Sequence, residues 1–233
     1  MFNTVFRWFQ NEFSNDIISF TLCVIMLVLY HIYLHYKTVK DPNYSVSSVN
    51  AMARAIWVEV MMSSGKPDVI PIQTFRNSTM AATFLASTAV LLMMGVLTLS
   101  GQSDNLNSTW HTLNTFGTTH PNLWLSKLLL LLLDLFVAFF CFSMSIRIYH
   151  HVGYMINVPY TLNHKHISPK HVALHLNRGG KYYYIGMRAF YFLVPLVFWL
   201  FGPHFMLLST IVLVIALFYI DRAPKILSED YAE

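Results

Sequence analysis

Residues 123–146 read LWLSKLLLLLLDLFVAFFCFSMSI, an apolar run interrupted by only two charged side chains, Lys127 and Asp134. A hydrocarbon core of about 30 Å needs roughly 20 helical residues, so the run is long enough to cross a membrane. Working outward from it, four further apolar runs occupy 17–36, 80–99, 182–201 and 203–220. The last two reach spanning length when Tyr182, Tyr183, Tyr184 and Tyr219 are counted at the interface, the depth that tyrosine favours. The whole chain is 55% hydrophobic and 11% charged, against about 25% charged in a soluble domain. These numbers exclude an ordinary soluble core and predict an all-α, polytopic membrane helix bundle with about five spans.

The segments between the runs set the orientation. Lys37, Lys40, Arg54, Lys66 and Arg76 follow the first run, whereas 100–122 holds no lysine or arginine. Arg147, Lys165, Lys170, Arg178 and Lys181 follow the third run, with Arg188 just inside the fourth, and the tail adds Arg222 and Lys225. Of the 15 basic residues, all but Arg7 and Lys127 therefore fall on one side. Basic residues stay cytoplasmic during insertion, which predicts an N-terminus outside and a C-terminus inside. A bacterial cytoplasmic (inner) membrane is the expected location. The net charge of +4 lies beside membrane helices, where anionic lipid headgroups are the natural partners, and no nucleic-acid role is expected. No basic n-region precedes a short apolar run, so the first helix is expected to be retained. No linker or repeat divides 1–233, which reads as a single membrane domain.

Two amphipathic stretches flank the spans. Phe2, Phe6, Phe9 and Phe13 recur at helical spacing and suit a helix in the outer interface. In the first basic segment, Val46, Val49, Ala53, Ile56, Trp57, Val60 and Met61 form one apolar face, with Ser45 as N-cap and Gly65-Lys66-Pro67 as terminator. Ser78, Ala82, Ala86 and Ala89 line one face of the second span, a surface for close helix packing. Cys23 and Cys141 fall about 15 Å apart in depth, beyond disulfide reach, and read as free packed thiols. Asn107-Ser108-Thr109 is a glycosylation sequon on the outer side.

Three sets of polar residues carry the functional possibilities. Asp134 is the acid deep in a run, with Lys127 two turns away and Thr83, Ser87 and Thr88 as candidate partners. It reads either as a proton or ion relay or as a hydrogen-bonded packing residue, and one isolated acid makes a thin pathway. Ser168-Pro169 starts a helix on which His171 and His175 fall at i and i+4, a spacing able to bind metal if further ligands converge. No HExxH accompanies them, and no histidine is central in a span as bis-histidine haem would require. Arg54, Gln73, Arg76, Asn77 and Arg188 lie near one membrane face and could hold lipid phosphates, an anionic ligand or a partner's carboxylates.

Two stretches carry a family resemblance. One is Ala53-Arg54-Ala55-Ile56-Trp57-Val58 with Ile72-Gln73-Thr74-Phe75-Arg76-Asn77-Ser78-Thr79-Met80-Ala81-Ala82. The other is Arg178-Gly179-Gly180, Gly186-Met187-Arg188-Ala189-Phe190-Tyr191, Pro195-Leu196 and Trp199-Leu200-Phe201-Gly202-Pro203. Together the chain resembles a family of uncharacterised membrane proteins of bacteria and plants, domain of unknown function 599. The resemblance implies the helical architecture and brings no chemistry. With no nucleophile–base set, phosphate loop or cofactor motif, the expectation is a non-enzymatic integral membrane accessory or scaffolding subunit, without cofactor. It would contact membrane lipids and a membrane-protein partner or further copies of itself. The alternatives are a transporter or channel using Asp134 with the arginines, and a metalloprotein using the histidines.

Overall fold

The computed structural model describes residues 14–63, 69–101, 121–158 and 167–224. They form six helices: α1 Ser14–Lys40, α2 Val46–Ser63, α3 Val69–Gly101, α4 Pro121–Met155, α5 Pro169–Phe201 and α6 Pro203–Ile220. All but α2 are long and apolar enough to cross a membrane, in agreement with the five expected spans. The chain therefore reads as a membrane protein. The expected amphipathic helix at 1–13, the terminator at 65–67 and the sequon lie outside the described residues.

Three of the helices overshoot the apolar runs. α3, α4 and α5 hold 33, 35 and 33 residues, about 50 Å each at 1.5 Å per residue and well beyond a hydrocarbon core. Their surplus turns all project at the end of the bundle that carries the basic segments, called here the basic end. There α2 lies against α5 and packs with the surplus turns into a small core of Val58, Met62, Phe75, Tyr149, Val152, Val172 and Leu176. The described parts of the segments between the apolar runs are thus largely helical, because Phe75, Tyr149, Val152 and Val172 give the extensions something to bury.

The buried face of α2 is rotated from the expected one. Val58 and Met62 are buried and Arg54 half-buried, whereas Ile56 and Val60 are exposed. An interfacial helix has two apolar environments, protein and lipid, and the hydrophobic pattern does not separate them. Ser45 does sit at the N-cap, its Oγ accepting from the Ser48 amide at 3.2 Å. Ser168 caps α5 likewise through the His171 amide, with Pro169 in the first turn.

In the bundle, α3 packs on α4, α4 on α5, α5 on α6 and α6 on α1. Ala82, Ala86 and Ala89 are buried, and Ala86 and Ala89 cluster with Ala138 and Phe142 of α4, as the small-residue face predicts. Gly202 joins α5 to α6 at φ 145°, a conformation open to glycine without side-chain strain. Pro203 follows and has no N–H for the Trp199 carbonyl four residues back. That carbonyl accepts instead from the Gly202 amide at 3.2 Å and from Lys127 Nζ at 3.1 Å. Cys23 and Cys141 are free and buried, as expected.

Candidate functional site

The described helices hold two buried ion pairs, one at each end of the bundle. At the opposite end, Lys127 Nζ meets Asp16 Oδ1 at 2.9 Å. Trp199 Nε1 donates to the same carboxylate oxygen at 2.8 Å, and its ring lies 5.1 Å from the ammonium. Lys127 is therefore the partner of Asp16, not of Asp134. The hydroxyls of Thr83 and Thr88 donate to carbonyls of their own helix, at Thr79 and Phe84, and Ser87 is exposed. Asp134 is left with Oδ2 buried and without a hydrogen-bond partner. The residue that sequence reasoning missed is Asp16. Its position one residue ahead of an apolar run, paired with a lysine inside another run, is the signal that could have found it.

At the basic end, Arg188 pairs with Asp221 at the C-cap of α6. Nη2 of Arg188 serves both Asp221 Oδ2 and the Tyr184 hydroxyl, while the Tyr30 hydroxyl donates to the same Asp221 oxygen at 2.5 Å. The backbone pins this corner. Val46 N donates to Asp221 O and Ala223 N to Tyr44 O, each at 3.0 Å, so the residues after α6 run antiparallel to those before α2. Arg222 then lies over the rings of Tyr44 and Phe218.

Arg188 is 5% exposed, and its Nε and Nη1 are both buried with no hydrogen-bond partner among the described residues. It lines a cavity of about 280 Å³ between α2, α5 and the end of α6, whose wall also includes Ser47, Asn50, Arg54, Tyr184 and Asp221. Arg54 enters this wall because α5 presents Gly180 beneath it. A Cβ at Gly180 would lie 2.8 Å from the Arg54 Cζ, so the guanidinium occupies the space a side chain would need. Asn177 orients it, accepting from Arg54 Nε at 2.8 Å and donating to the Ala51 carbonyl at 3.1 Å. Burial pushes the Arg54 guanidinium below its ordinary pKa, yet arginine stays cationic at physiological pH.

Of the five residues expected to bind lipid or anion, the fold brings Arg54 and Arg188 into one cavity. Gln73, Arg76 and Asn77 are exposed on α3 and do not line it. Arg54 also borders a larger cavity of about 560 Å³ with Asn50, Trp57, Phe75 and Tyr149, but there it is the only charged group among the described residues. A third, of about 690 Å³ beside Glu59 and Lys170, has Ser63 and Ser168 in its wall, next to residues outside the described set. His171 and His175 face each other with Nε2 atoms 3.1 Å apart. Among the described residues no group of three or more histidine, cysteine or carboxylate side chains is placed to hold a metal.

The paired guanidiniums can supply fixed hydrogen-bond forks to a phosphate or carboxylate at low dielectric. No curated protein and no solved structure matches the chain. The family described as protein of unknown function, DUF599, matches residues 18–226, a span that takes in the cavity, α2 to α6 whole and all but the first turn of α1; the chain belongs to that family.

Proposed function

We propose that this is a non-enzymatic integral membrane protein whose working site is the Arg54–Arg188 cavity, and that the cavity binds a phosphate- or carboxylate-bearing anion. One observation carries the reading: a buried arginine on the cavity wall has two nitrogens without partners. A buried polar group left unpaired costs about 1–3 kcal/mol, and more when charged, so an acceptor there would recover that cost. By the rule that basic segments stay inside, the cavity faces the cytoplasm. A protein that binds an anion at one membrane face and offers apolar helix surfaces sideways suits an accessory or scaffolding component of a larger membrane assembly.

The test is thermal unfolding of the purified full chain, titrated with inorganic phosphate and separately with anionic lipid. At least one of the two should raise the melting temperature, and Arg54→Gln should remove that rise. No stabilisation by either would sink the reading.

Asp134 favours a second reading. A half-buried carboxyl with one oxygen unpartnered in a spanning helix suits a proton or ion step in transport. Under it, Asp134→Asn abolishes solute flux in reconstituted vesicles while leaving the fold intact. Flux that survives the substitution would remove this reading.

A further inference from the structure

The cavity is ordered along the membrane normal in a way that names its occupant, on the footing that it binds an anion at all. Ser47, Asn50 and Arg54 come from α2, the helix on the basic-end surface, and Arg54 sits at the level of Gly180. Helical side chains lean toward the helix N-terminus, so the Arg188 guanidinium lies near the level of Tyr184, whose ring is 4.7 Å away. That is one turn, about 6 Å, deeper than Arg54. Beside the Arg188 guanidinium the wall is apolar, with Met187 on α5 and Ile220 on α6, and Tyr191 lies one turn deeper. Ile220 is also 55% exposed at the end of α6, beside the interfacial Tyr219, so the cavity wall is continuous with the outer surface of α6 at the depth of the interface. From the basic-end surface inward the order is hydroxyl and amide, guanidinium, then a second guanidinium with apolar side chains beside it. A phospholipid presents the same order: headgroup alcohol, phosphate, acyl chains.

Charge narrows the class. Among the described residues, two guanidiniums and one carboxylate, Asp221, leave the wall with one net positive charge. That matches a phosphodiester, which carries a single negative charge, better than a phosphomonoester approaching two. It also disfavours a headgroup ammonium beside Arg54. We propose that the occupant is a monoanionic glycerophospholipid with a hydroxyl-bearing headgroup, its phosphate on the free nitrogens of Arg188, its alcohol against Ser47, Asn50 and Arg54, and its chains leaving past Met187 and Ile220.

The experiment places the full chain in phosphatidylcholine nanodiscs doped equally with phosphatidylglycerol and phosphatidate, and reads the lipid released with the protein by native mass spectrometry. Soluble glycerol phosphate serves as competitor. Phosphatidylglycerol should be enriched about tenfold over phosphatidylcholine, and Arg54→Gln should cut that enrichment about tenfold. Arg54 lies outside the Arg188–Asp221 pair, so this variant keeps the ion pair. Ser47→Trp, at an exposed position on the cavity wall, should block the mouth and abolish the enrichment, with a melting temperature unchanged in phosphatidylcholine alone. Preference for phosphatidate, or equal retention of phosphatidylcholine, would overturn the lipid assignment. Displacement by glycerol phosphate at matched concentration would overturn it too, while leaving the anion reading standing. Retention of no anion, lipid or soluble, would overturn both.

Discussion

The two buried ion pairs use the same chemistry for different ends. Around Asp16 and Lys127, charge is closed on itself: the ammonium meets a carboxylate, a carbonyl and an indole ring, and neither residue has a buried polar atom without a partner. Around Arg188 and Asp221, charge is left open. One guanidinium nitrogen serves two oxygens, two others serve none, and the cluster borders a cavity. The first arrangement clasps α1, α4 and α5 together. The second also joins helices, yet keeps capacity for something the described residues do not supply. Satisfaction of the polar atoms, more than their burial, separates a clasp from a site.

The largest expected effect comes from breaking the closed pair. Lys127→Met leaves Asp16 buried without its cation and should cost about 3–5 kcal/mol, read by unfolding in detergent. Adding Asp16→Leu should recover most of that loss, and neither change should alter lipid retention. A single-variant cost below about 1 kcal/mol would end the comparison, because the closed pair would then not be a clasp.

The open pair should respond to its acid in the reverse sense. Asp221→Asn removes the competitor for Arg188 and raises the net positive charge of the cavity by one. Stability should fall by about 1–3 kcal/mol, while anion affinity rises several-fold, measured by lipid retention at low salt. Unchanged or weaker binding would mean that Asp221 orients Arg188 for the ligand instead of competing with it. Gly180→Ala comes next. The added methyl displaces the Arg54 guanidinium, so binding should drop a few-fold at a stability cost of about 1 kcal/mol. The smallest effect belongs to Arg76→Gln, which should leave both retention and melting temperature unmoved, since Arg76 is exposed away from the cavity. A loss there would extend the site onto α3.

Parts of this were legible beforehand. Apolar runs of spanning length, the alanine face of α3 and the Ser45 and Ser168 caps are local patterns, and each has its expected structural counterpart. The site was half legible. Arg54 and Arg188 could be assigned to one membrane face, but so could Arg76, Gln73 and Asn77, and residue type does not distinguish an arginine on a cavity wall from one facing outward. The partners were the hidden part. Tyr30 reaches Asp221 across 191 positions, Trp199 reaches Asp16 across 183, and Arg54 reaches Asn177 across 123.

The amino-acid sequence alone determined that this chain makes helices of membrane-spanning length, where the five among the described residues fall and which helix ends carry the basic segments, because backbone hydrogen bonding in hydrocarbon and the cost of moving charge across it act on each segment separately. Tertiary structure alone decided how each helix is rotated and which charges meet. In a membrane, lipid is as apolar as the protein interior, so hydrophobicity does not choose which face of a helix turns inward. Close packing at glycine and alanine, and the pairing of a few buried charges, make that choice, and both depend on residues far apart in the chain.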